Sequence, residues 1–315
     1  MKEKDLMRVA DVLGTPVWGA EPFRRLWRVR TSRGDWVAKP VRHVPHLHWW
    51  LRVDREMRMR GFHLMPQIRT DGKRWVLTPL IPGQPASYKK LSDARKAVRQ
   101  LAWFHRLGDG LQTRSYHQGE YLLEERLDTR LREFYRTMTT PGVTGHELAC
   151  LLKTNGPYFF QAGVVAMSRL SALDLRGRVA RDRRLHRLAH RDLASHNWVS
   201  DTKGQLWLID FETADYDCQL GDVWQLLSRT LSEHRWESDV YRMLLAEYEA
   251  VRPLSARDKA LLVALLSFPN EFFREAIGLA KEKRGYALDK SLPYLRQIVR
   301  DRDQWQRFLE TIRSW

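Results

Sequence analysis

Cysteine is scarce in this chain of 315 residues, which has only Cys150 and Cys218. The two lie far apart in the sequence and form no spacing of the kind that binds zinc, which excludes a cysteine-based metal site. Two isolated cysteines also cannot supply a disulfide framework. The simplest interpretation is a reduced, intracellular protein without structural disulfides.

Long hydrophobic runs are missing as well. The longest apolar run, Ala260 to Phe268, is far shorter than the roughly 20 residues that a membrane-spanning helix needs. The first residues, Met1 to Asp5, lack the apolar core of a signal peptide. We therefore expect no membrane span and no secretion by that route. A content of 43% hydrophobic and 29% charged residues is typical of a folded globular protein.

Acidic residues are outnumbered, with 38 against 54 basic residues and a net charge of +16. Such an excess attracts polyanions. Arginines crowd residues 176–184, which indicates either an arginine-rich solvated surface or a face that binds a polyanion without chemistry. We expect no nucleic acid partner, because no nucleic-acid-binding motif is present and the 13 tryptophans are scattered.

Residues 190–212 combine three side chains that phosphoryl transfer from ATP requires. Asp192 lies in an H-R-D-L motif that begins at His190, where it can accept the proton of an attacking hydroxyl. Asn197 offers a carbonyl oxygen to Mg²⁺, and Asp210, at the end of an apolar strand, can bridge metal and phosphates. We expect His190 to brace the backbone. The alternative, buried polar residues that cap unrelated turns, requires all these offsets to be coincidental.

Lys39 is the candidate for contacting the α- and β-phosphates. It ends the second strand of a predicted hairpin, in which residues 26–31 form the first strand and Trp36 to Lys39 the second. A lysine on such a return strand matches the order of elements in kinases. The alternative is an ordinary surface lysine at a strand end.

A carboxylate on the following helix usually fixes the position of such a lysine. Glu56 is the only glutamate in the predicted helix His46–Arg60, so we expect it to pair with Lys39. Asp54 is the alternative partner. The sequence thus predicts that Lys39 and Glu56 together orient the phosphates of ATP.

A glycine-rich phosphate-covering loop is absent. The N-terminal region offers only Gly14 and Gly19 before the first predicted strand. Backbone amides near Gly19 can approach a phosphate, but less closely than a G-x-G-x-x-G turn allows. We therefore expect Gly19 to lie nearest the phosphates and nucleotide binding to be weak or lost.

The segment after Asp210 indicates the class of acceptor. Only Phe211 to Gly221 separates it from Asp222, which leaves no room for the peptide platform of protein kinases. Glu212 is a further candidate for holding Mg²⁺. We expect Asp222 to accept hydrogen bonds from the backbone of the catalytic loop, while simple capping of a helix at 223–229 is the alternative.

The predicted fold class is α+β, with a small antiparallel sheet at the N-terminus and a larger helical part. Proline and glycine interrupt the chain at 79–85, so we place a nucleotide-binding lobe at 1–82 and a helical lobe at 83–315. Helices are predicted from Ser92 to about Gly108, Tyr121 to Met138, Val223 to Arg229 and Trp236 to Ala250, then from a cap at Ser255, and from Ser291 towards the C-terminus.

These motifs resemble the aminoglycoside phosphotransferase and choline kinase superfamily, and within it the CotS-type spore coat kinase-like proteins. Arg191 departs from the small or polar residue common in the antibiotic kinases. The resemblance implies a bilobal protein-kinase-like fold, ATP and Mg²⁺ as ligands, and a place in the mother cell cytoplasm or the spore coat. It rests on Ile209-Asp210-Phe211-Glu212, Asp217, Gly221-Asp222, Trp236, Tyr248, Pro253-Leu254-Ser255 and Ser267-Phe268-Pro269.

Three hypotheses follow. The first is an ATP- and Mg²⁺-dependent phosphotransferase that acts on an unknown small hydroxyl compound, favoured by the complete set Asp192, Asn197 and Asp210. The second is a non-catalytic kinase-fold scaffold that contacts other spore coat proteins, favoured by the poor loop near Gly19. The third is polyanion binding through the arginine-rich face, whose affinity would fall steeply with salt.

Overall fold

The N-terminal part of the computed structural model, which describes residues 1–23, 26–140 and 145–314, is an antiparallel sheet. The five strands are β1 (Val17–Phe23), β2 (Leu26–Thr31), β3 (Gly34–Pro40), β4 (Arg69–Thr70) and β5 (Trp75–Pro79). Their order in the sheet is β1-β2-β3-β5-β4. The predicted hairpin is confirmed, with Trp27 opposite Ala38 in the register of β2 and β3.

Two helices accompany this sheet, α1 (Glu3–Leu13) and α2 (Val44–Met59). The sequence does not predict α1, whose buried Val9 and Leu13 join Val29 in a small separate core. Helix α2 matches the predicted helix. The buried face of α2 belongs to the large core of the helical part, not to the small core that α1 forms with the sheet. Helix α2 therefore links the packing of the two parts of the molecule.

The chain enters the helical part through β6 (Gly83–Pro85), which pairs with β8 (Trp198–Asp201). These two strands and β9 (Leu206–Leu208) form a three-stranded sheet of order β6-β8-β9. Gly83 is required there, because a Cβ atom would lie 2.1 Å from the carbonyl oxygen of Ser200. We retain the division of the chain after residue 82 as a proposal. The short strands of the helical part are β7 (Leu188–Ala189), β8 (Trp198–Asp201), β9 (Leu206–Leu208) and β10 (Asp215–Tyr216).

Helices make up most of the remainder, as the predicted fold class requires. Helix α7 is buried along most of its length, and it carries the predicted Asp222 in its first turn. In the described ranges no helix is both long enough and apolar enough to cross a bilayer. The helices are α3 (Leu91–Leu107), α4 (Leu123–Thr139), α5 (His146–Ala172), α6 (Leu175–Arg184), α7 (Leu220–Glu233), α8 (Ser238–Glu249), α9 (Ala256–Leu266), α10 (Asn270–Ala280), α11 (Leu288–Arg300) and α12 (Arg302–Arg313).

Helix ends test the local predictions individually. The capping box of Ser255 with Asp258 is confirmed, since each side chain binds the other residue's backbone N–H. Ser92 is not a cap, because α3 already begins at Leu91. The predicted single C-terminal helix is two helices, α11 and α12, that meet at Asp301.

Candidate active site

The catalytic loop runs from the end of β7 to the start of β8 and holds its own aspartate in place. Asn197 donates its side-chain Nδ2 to the backbone oxygen of Asp192 at 3.0 Å and to Oδ2 of the same residue at 3.3 Å. The side-chain nitrogen of Asn197 thus hydrogen-bonds within the catalytic loop, and its Oδ1 atom lies on the side of the amide away from these bonds. The side chain of Asp192 is 45% exposed, so an acceptor hydroxyl can reach it.

Asp222 anchors the start of this loop, as predicted. Its carboxylate accepts hydrogen bonds from the backbone N–H of His190 at 2.6 Å and from that of Arg191 at 2.8 Å. The capping alternative is wrong, because α7 begins at Leu220 and the Asp222 side chain turns away to the loop. These two bonds hold Arg191 at a φ of +70°, a conformation that a non-glycine residue adopts only when its surroundings impose it.

A buried chain of polar groups supports Asp222 from behind. The Nε2–H of His105 donates to Asp222 at 3.1 Å, and the Tyr248 hydroxyl donates to Nδ1 of His105 at 2.8 Å. Burial lowers the pKa of His105, so the ring is neutral near pH 7. Burial alone would raise the pKa of Asp222, but the His105 and backbone hydrogen bonds lower it. The sequence signal for His105 is a histidine on the otherwise apolar face of α3.

His190 joins the loop to the strand that leads to the second aspartate. Its Nε2–H donates to the carbonyl oxygen of Ile209 at 3.0 Å, and its own carbonyl accepts from the Thr213 hydroxyl at 3.0 Å. The predicted bracing geometry is therefore confirmed. Because Ile209 directly precedes Asp210, His190 ties Asp210 to the loop that carries Asp192.

Lys39 reaches from the N-terminal sheet to the acidic residues of the helical part. Its Nζ lies 2.6 Å from Oδ1 of Asp210 and 3.0 Å from Oε1 of Glu212. Burial alone would raise the pKa of Asp210, but the ammonium of Lys39 lowers it, so Asp210 is ionised at neutral pH. The structure thus brings Lys39, Asp210 and Glu212 together at one point.

The predicted pairing of Lys39 with Glu56 is wrong. Glu56 instead accepts hydrogen bonds from the backbone of Gln112 at 2.7 Å and from the backbone and hydroxyl of Thr113 at 3.0 and 2.8 Å. Burial would raise the pKa of Glu56, but these bonds lower it. The alternative partner, Asp54, is bound by Arg58 within α2.

The packing of α2 explains this difference. Trp50 of this helix stacks on Phe211 with ring centroids 4.5 Å apart, and His46 hydrogen-bonds the carbonyl oxygen of Ala214 at 3.0 Å. An aromatic ring and an imidazole therefore occupy the face of α2 that meets the segment after Asp210. Glu56 lies six residues beyond Trp50, about 9 Å farther along the helix axis.

Gly19 lies in β1, opposite Arg30, beside a shift in the register of β1 and β2. A Cβ atom at this position would meet no other atom within 4 Å, so no packing contact requires glycine here. Gly14 instead ends α1 with a φ of +62°. The assignment of Gly19 to the phosphates stays a prediction.

The residues available for Mg²⁺ fit its preferences. Asn197, Asp210 and Glu212 provide oxygen atoms, the ligands that Mg²⁺ takes, and the Oδ1 atom of Asn197 accepts no hydrogen bond from the described residues. Among the described residues no three histidine, cysteine or acidic side chains form a metal cluster. The Mg²⁺ sites of kinases use one or two carboxylates together with substrate phosphates.

Arg191 has a structural role. Its guanidinium lies 3.2 Å from Asp215 and 3.4 Å from Asp217, and Arg126 contacts Asp217 at 3.0 Å. Burial raises the pKa of Asp217, although both arginines oppose this. These ion pairs fasten the short segment after Asp210 to the catalytic loop.

The arginine-rich segment is partly structural as well. Arg178 pairs with Asp182 and Asp258, and Arg183 lies 3.8 Å from Asp215. Other arginines of this segment remain exposed, namely Arg176, Arg181 and Arg184. Part of the positive charge is therefore neutralised within the fold.

A cleft of about 350 Å³ opens beside the catalytic loop, on the side of α7, α10 and α11. It adjoins Asp192 through Arg229, whose guanidinium nitrogen lies 3.9 Å from the carboxylate. Its volume is within the usual range for small-molecule sites. The residues that line it include Tyr88, Ser195, Arg229, Glu271, Arg274 and Tyr294.

Together, the small N-terminal sheet and the larger helical part define a kinase-like fold. The sequence model of the phosphotransferase enzyme family that bears the name APH matches residues 15–260, and the chain belongs to that family.

Solved structures share the whole fold. An aminoglycoside phosphotransferase from Alicyclobacillus acidocaldarius matches with a TM-score of 0.80 at 18% identity, over 100% of this chain and 96% of its own. A spectinomycin phosphotransferase in complex with ADP and spectinomycin matches at 0.64 and 12%, over 95% and 94%. A choline kinase from Streptococcus pneumoniae matches at 0.57 and 15%, over 99% of both chains. The predicted protein-kinase-like fold is confirmed.

Proposed function

We propose that this protein transfers the γ-phosphoryl group of ATP to an alcohol group of a small molecule. The observation that carries this proposal is that the side chains of Lys39, Asp210 and Glu212 come together. They do so beside the strand end that His190 ties to the catalytic loop, and that loop presents Asp192 and Asn197. Each of these side chains corresponds to a requirement of phosphoryl transfer, which depends on positioning and charge rather than on covalent chemistry by the protein.

In the proposed reaction Asp192 accepts the proton of the acceptor hydroxyl. A bond then forms between the acceptor oxygen and the γ-phosphorus, the bond from the γ-phosphorus to the β–γ bridging oxygen breaks, and ADP leaves with that electron pair. The side chain of Lys39 contacts the phosphates, and the backbone amides near Gly19 approach them. Asn197, Asp210 and Glu212 would hold Mg²⁺, which neutralises charge on the phosphate oxygens.

A small acceptor is favoured over a protein. The segment from Phe211 to Gly221 is occupied by one short helical turn and by β10, which pairs with β7, and its aspartates are bound by arginines. It offers no extended surface on which a peptide could dock. Proteins of similar fold named for spectinomycin and choline also support a small acceptor.

A second candidate function is a scaffold without catalysis. One observation favours it: the region around Gly19 is poor in glycine, whereas a phosphate-covering loop is rich in it. Under this hypothesis the kinase fold would bind other proteins of the spore coat.

Association with the spore is proposed from the CotS-type resemblance. It predicts that a fluorescent fusion in the source bacterium collects on the forespore during sporulation, and a diffuse signal throughout would contradict it.

Nucleotide binding separates the two candidates. Isothermal calorimetry with ATP, in the presence and absence of Mg²⁺, should show metal-dependent binding if the protein is a phosphotransferase. A screen of hydroxyl compounds for ADP release then identifies the acceptor. Absence of binding and of any ATP-induced thermal shift at millimolar nucleotide would favour the scaffold.

A further inference from the structure

One face of α7 lies along the first part of the catalytic loop, residues 190–193. Asp222 binds the start of the loop, and one turn later Gln225 accepts from the backbone N–H of Leu193 at 3.3 Å and donates to the carbonyl oxygen of Arg191 at 3.2 Å. Arg229 follows after one further turn on the same face and lies between the Asp192 carboxylate and the cleft. The first two residues have a structural task, whereas Arg229 borders open space.

Arg229 has donors without acceptors. Its side chain is only 16% exposed, and its Nε atom is buried without a hydrogen-bond partner. A guanidinium has five N–H donors. Arg229 makes no hydrogen bond to any described residue, and the nearest carboxylate oxygen, in Asp192, is 3.9 Å away, beyond hydrogen-bonding distance. Nε is closed off from the cleft, whereas the two terminal nitrogens remain accessible, so a ligand in the cleft can supply acceptors for them.

The other basic side chains of the cleft are in a different situation. Arg274 donates to Glu271, Glu275 and the Tyr286 hydroxyl. Lys89 is 75% exposed and lies 3.8 Å from Glu233, so water solvates its ammonium. The charge of Arg229 acts on Glu271 and Glu275, but among the described lining residues it is the largely buried cation without a hydrogen-bonded partner.

We propose that this cleft is the acceptor site, and that Arg229 binds an oxyanion, a carboxylate or a phosphate, carried by the small molecule whose hydroxyl Asp192 activates. Arginine suits this task because its planar fork matches two oxygens of a carboxylate or phosphate. The distance of 3.9 Å between Arg229 and Asp192 places the anionic group only a few bonds from the reacting hydroxyl. A volume of about 350 Å³ suits a compound of the size of a sugar acid or sugar phosphate.

This inference depends on the proposed phosphotransferase function, and it can be tested without turnover. Calorimetry without nucleotide compares gluconate and glucose 6-phosphate with the neutral probe glucose and the cationic probe glucosamine. We expect at least one anionic probe to bind about tenfold or more tightly than glucose, and Arg229→Gln to remove that advantage. Arg229→Lys, which retains the charge but not the fork, should keep part of it.

Matched measurements make the result specific. Arg235→Gln, at a 68% exposed position just after α7, should bind the anionic probes like the wild type. Thermal unfolding of each variant checks its fold, and Mg²⁺–ATP titration should be unchanged in Arg229→Gln. If ATP binds normally but neither anionic probe is preferred over glucose, or the preference survives in Arg229→Gln, this inference is wrong while the proposed function stands. A preference that ADP abolishes, or that is lost in Lys39→Ala, would place the anion in the nucleotide site and also overturn it.

Discussion

The Nζ atom of Lys39 lies 2.6 Å from Oδ1 of Asp210, a residue 171 positions later in the chain. Lys39 belongs to the third strand of the N-terminal sheet, whereas Asp210 follows β9 in the helical part. One hydrogen-bonded ion pair therefore joins the two parts at the point where ATP phosphates are proposed to bind. Both groups are partly exposed, at 20% and 41%, so phosphate and metal can replace the contact.

Asp210→Asn should abolish metal-dependent nucleotide binding without unfolding the protein. The change removes one charge, and asparagine tolerates the φ of +66° found at this position. Thermal shift with ATP, with and without Mg²⁺, measures the effect. Asp239→Asn, at a position that is 87% exposed, is the control. A Mg²⁺-dependent shift of normal size in Asp210→Asn would remove the metal assignment.

Asp192 and Lys39 should fail differently when they are changed. Asp192→Asn keeps the size of the side chain, so ATP affinity should remain while turnover falls about 100- to 10,000-fold. Lys39→Ala removes a charge that faces the phosphates and should weaken ATP binding about tenfold to a hundredfold as well. Calorimetry and steady-state kinetics on both variants measure the two effects. Equal losses of ATP affinity would mean that the roles are misassigned.

Features set by neighbouring residues could be predicted from the sequence. The hairpin of β2 and β3 and the Ser255 capping box depend on turn and cap chemistry within a few residues. The place of Glu56 could not be predicted, because the packing of Trp50 on Phe211 sets how α2 lies. His105 is a similar case, since its partner Asp222 is 117 residues away. Only the tertiary fold brings such pairs together.

Generic protein substrates should not be phosphorylated. The short segment between Asp210 and Asp222 is bound to the catalytic loop and offers no docking surface for an extended chain. Radiolabelled ATP with casein as the acceptor tests this expectation. Strong labelling that disappears in Asp192→Asn would contradict the small-molecule acceptor.

Glu56 should contribute to stability rather than to nucleotide binding. Glu56→Ala leaves the backbone N–H groups of Gln112 and Thr113 without their acceptor, which should cost about 1–3 kcal/mol in the free energy of unfolding. The ATP affinity should stay within about twofold of the wild type, which is about 0.4 kcal/mol. Chemical denaturation and calorimetry measure the two quantities. A large loss of ATP affinity at unchanged stability would restore the predicted pairing with Lys39.

Acidification should destabilise the protein in two steps. Burial lowers the pKa of His105 below its ordinary value of 6.5, so the unfolded chain binds a proton at a higher pH than the folded one. The stability that comes from the neutral ring is therefore fully present above about pH 6.5 and is lost as the pH falls towards the lower folded pKa. The pKa of His46 is lowered by burial too, so it acts in the same range.

The second step belongs to Asp222, whose pKa is lowered from 3.8, so its contribution is lost only at more acidic pH. Free energies of unfolding between pH 8 and pH 5 isolate the first step. His105→Gln should lower stability at pH 8, because Tyr248 and Asp222 lose their shared partner, and should reduce the fall between pH 7 and pH 5. His63→Gln, at an exposed position, is the control substitution. An identical slope in wild type and His105→Gln would show that the neutral His105 ring does not support the catalytic loop through Asp222.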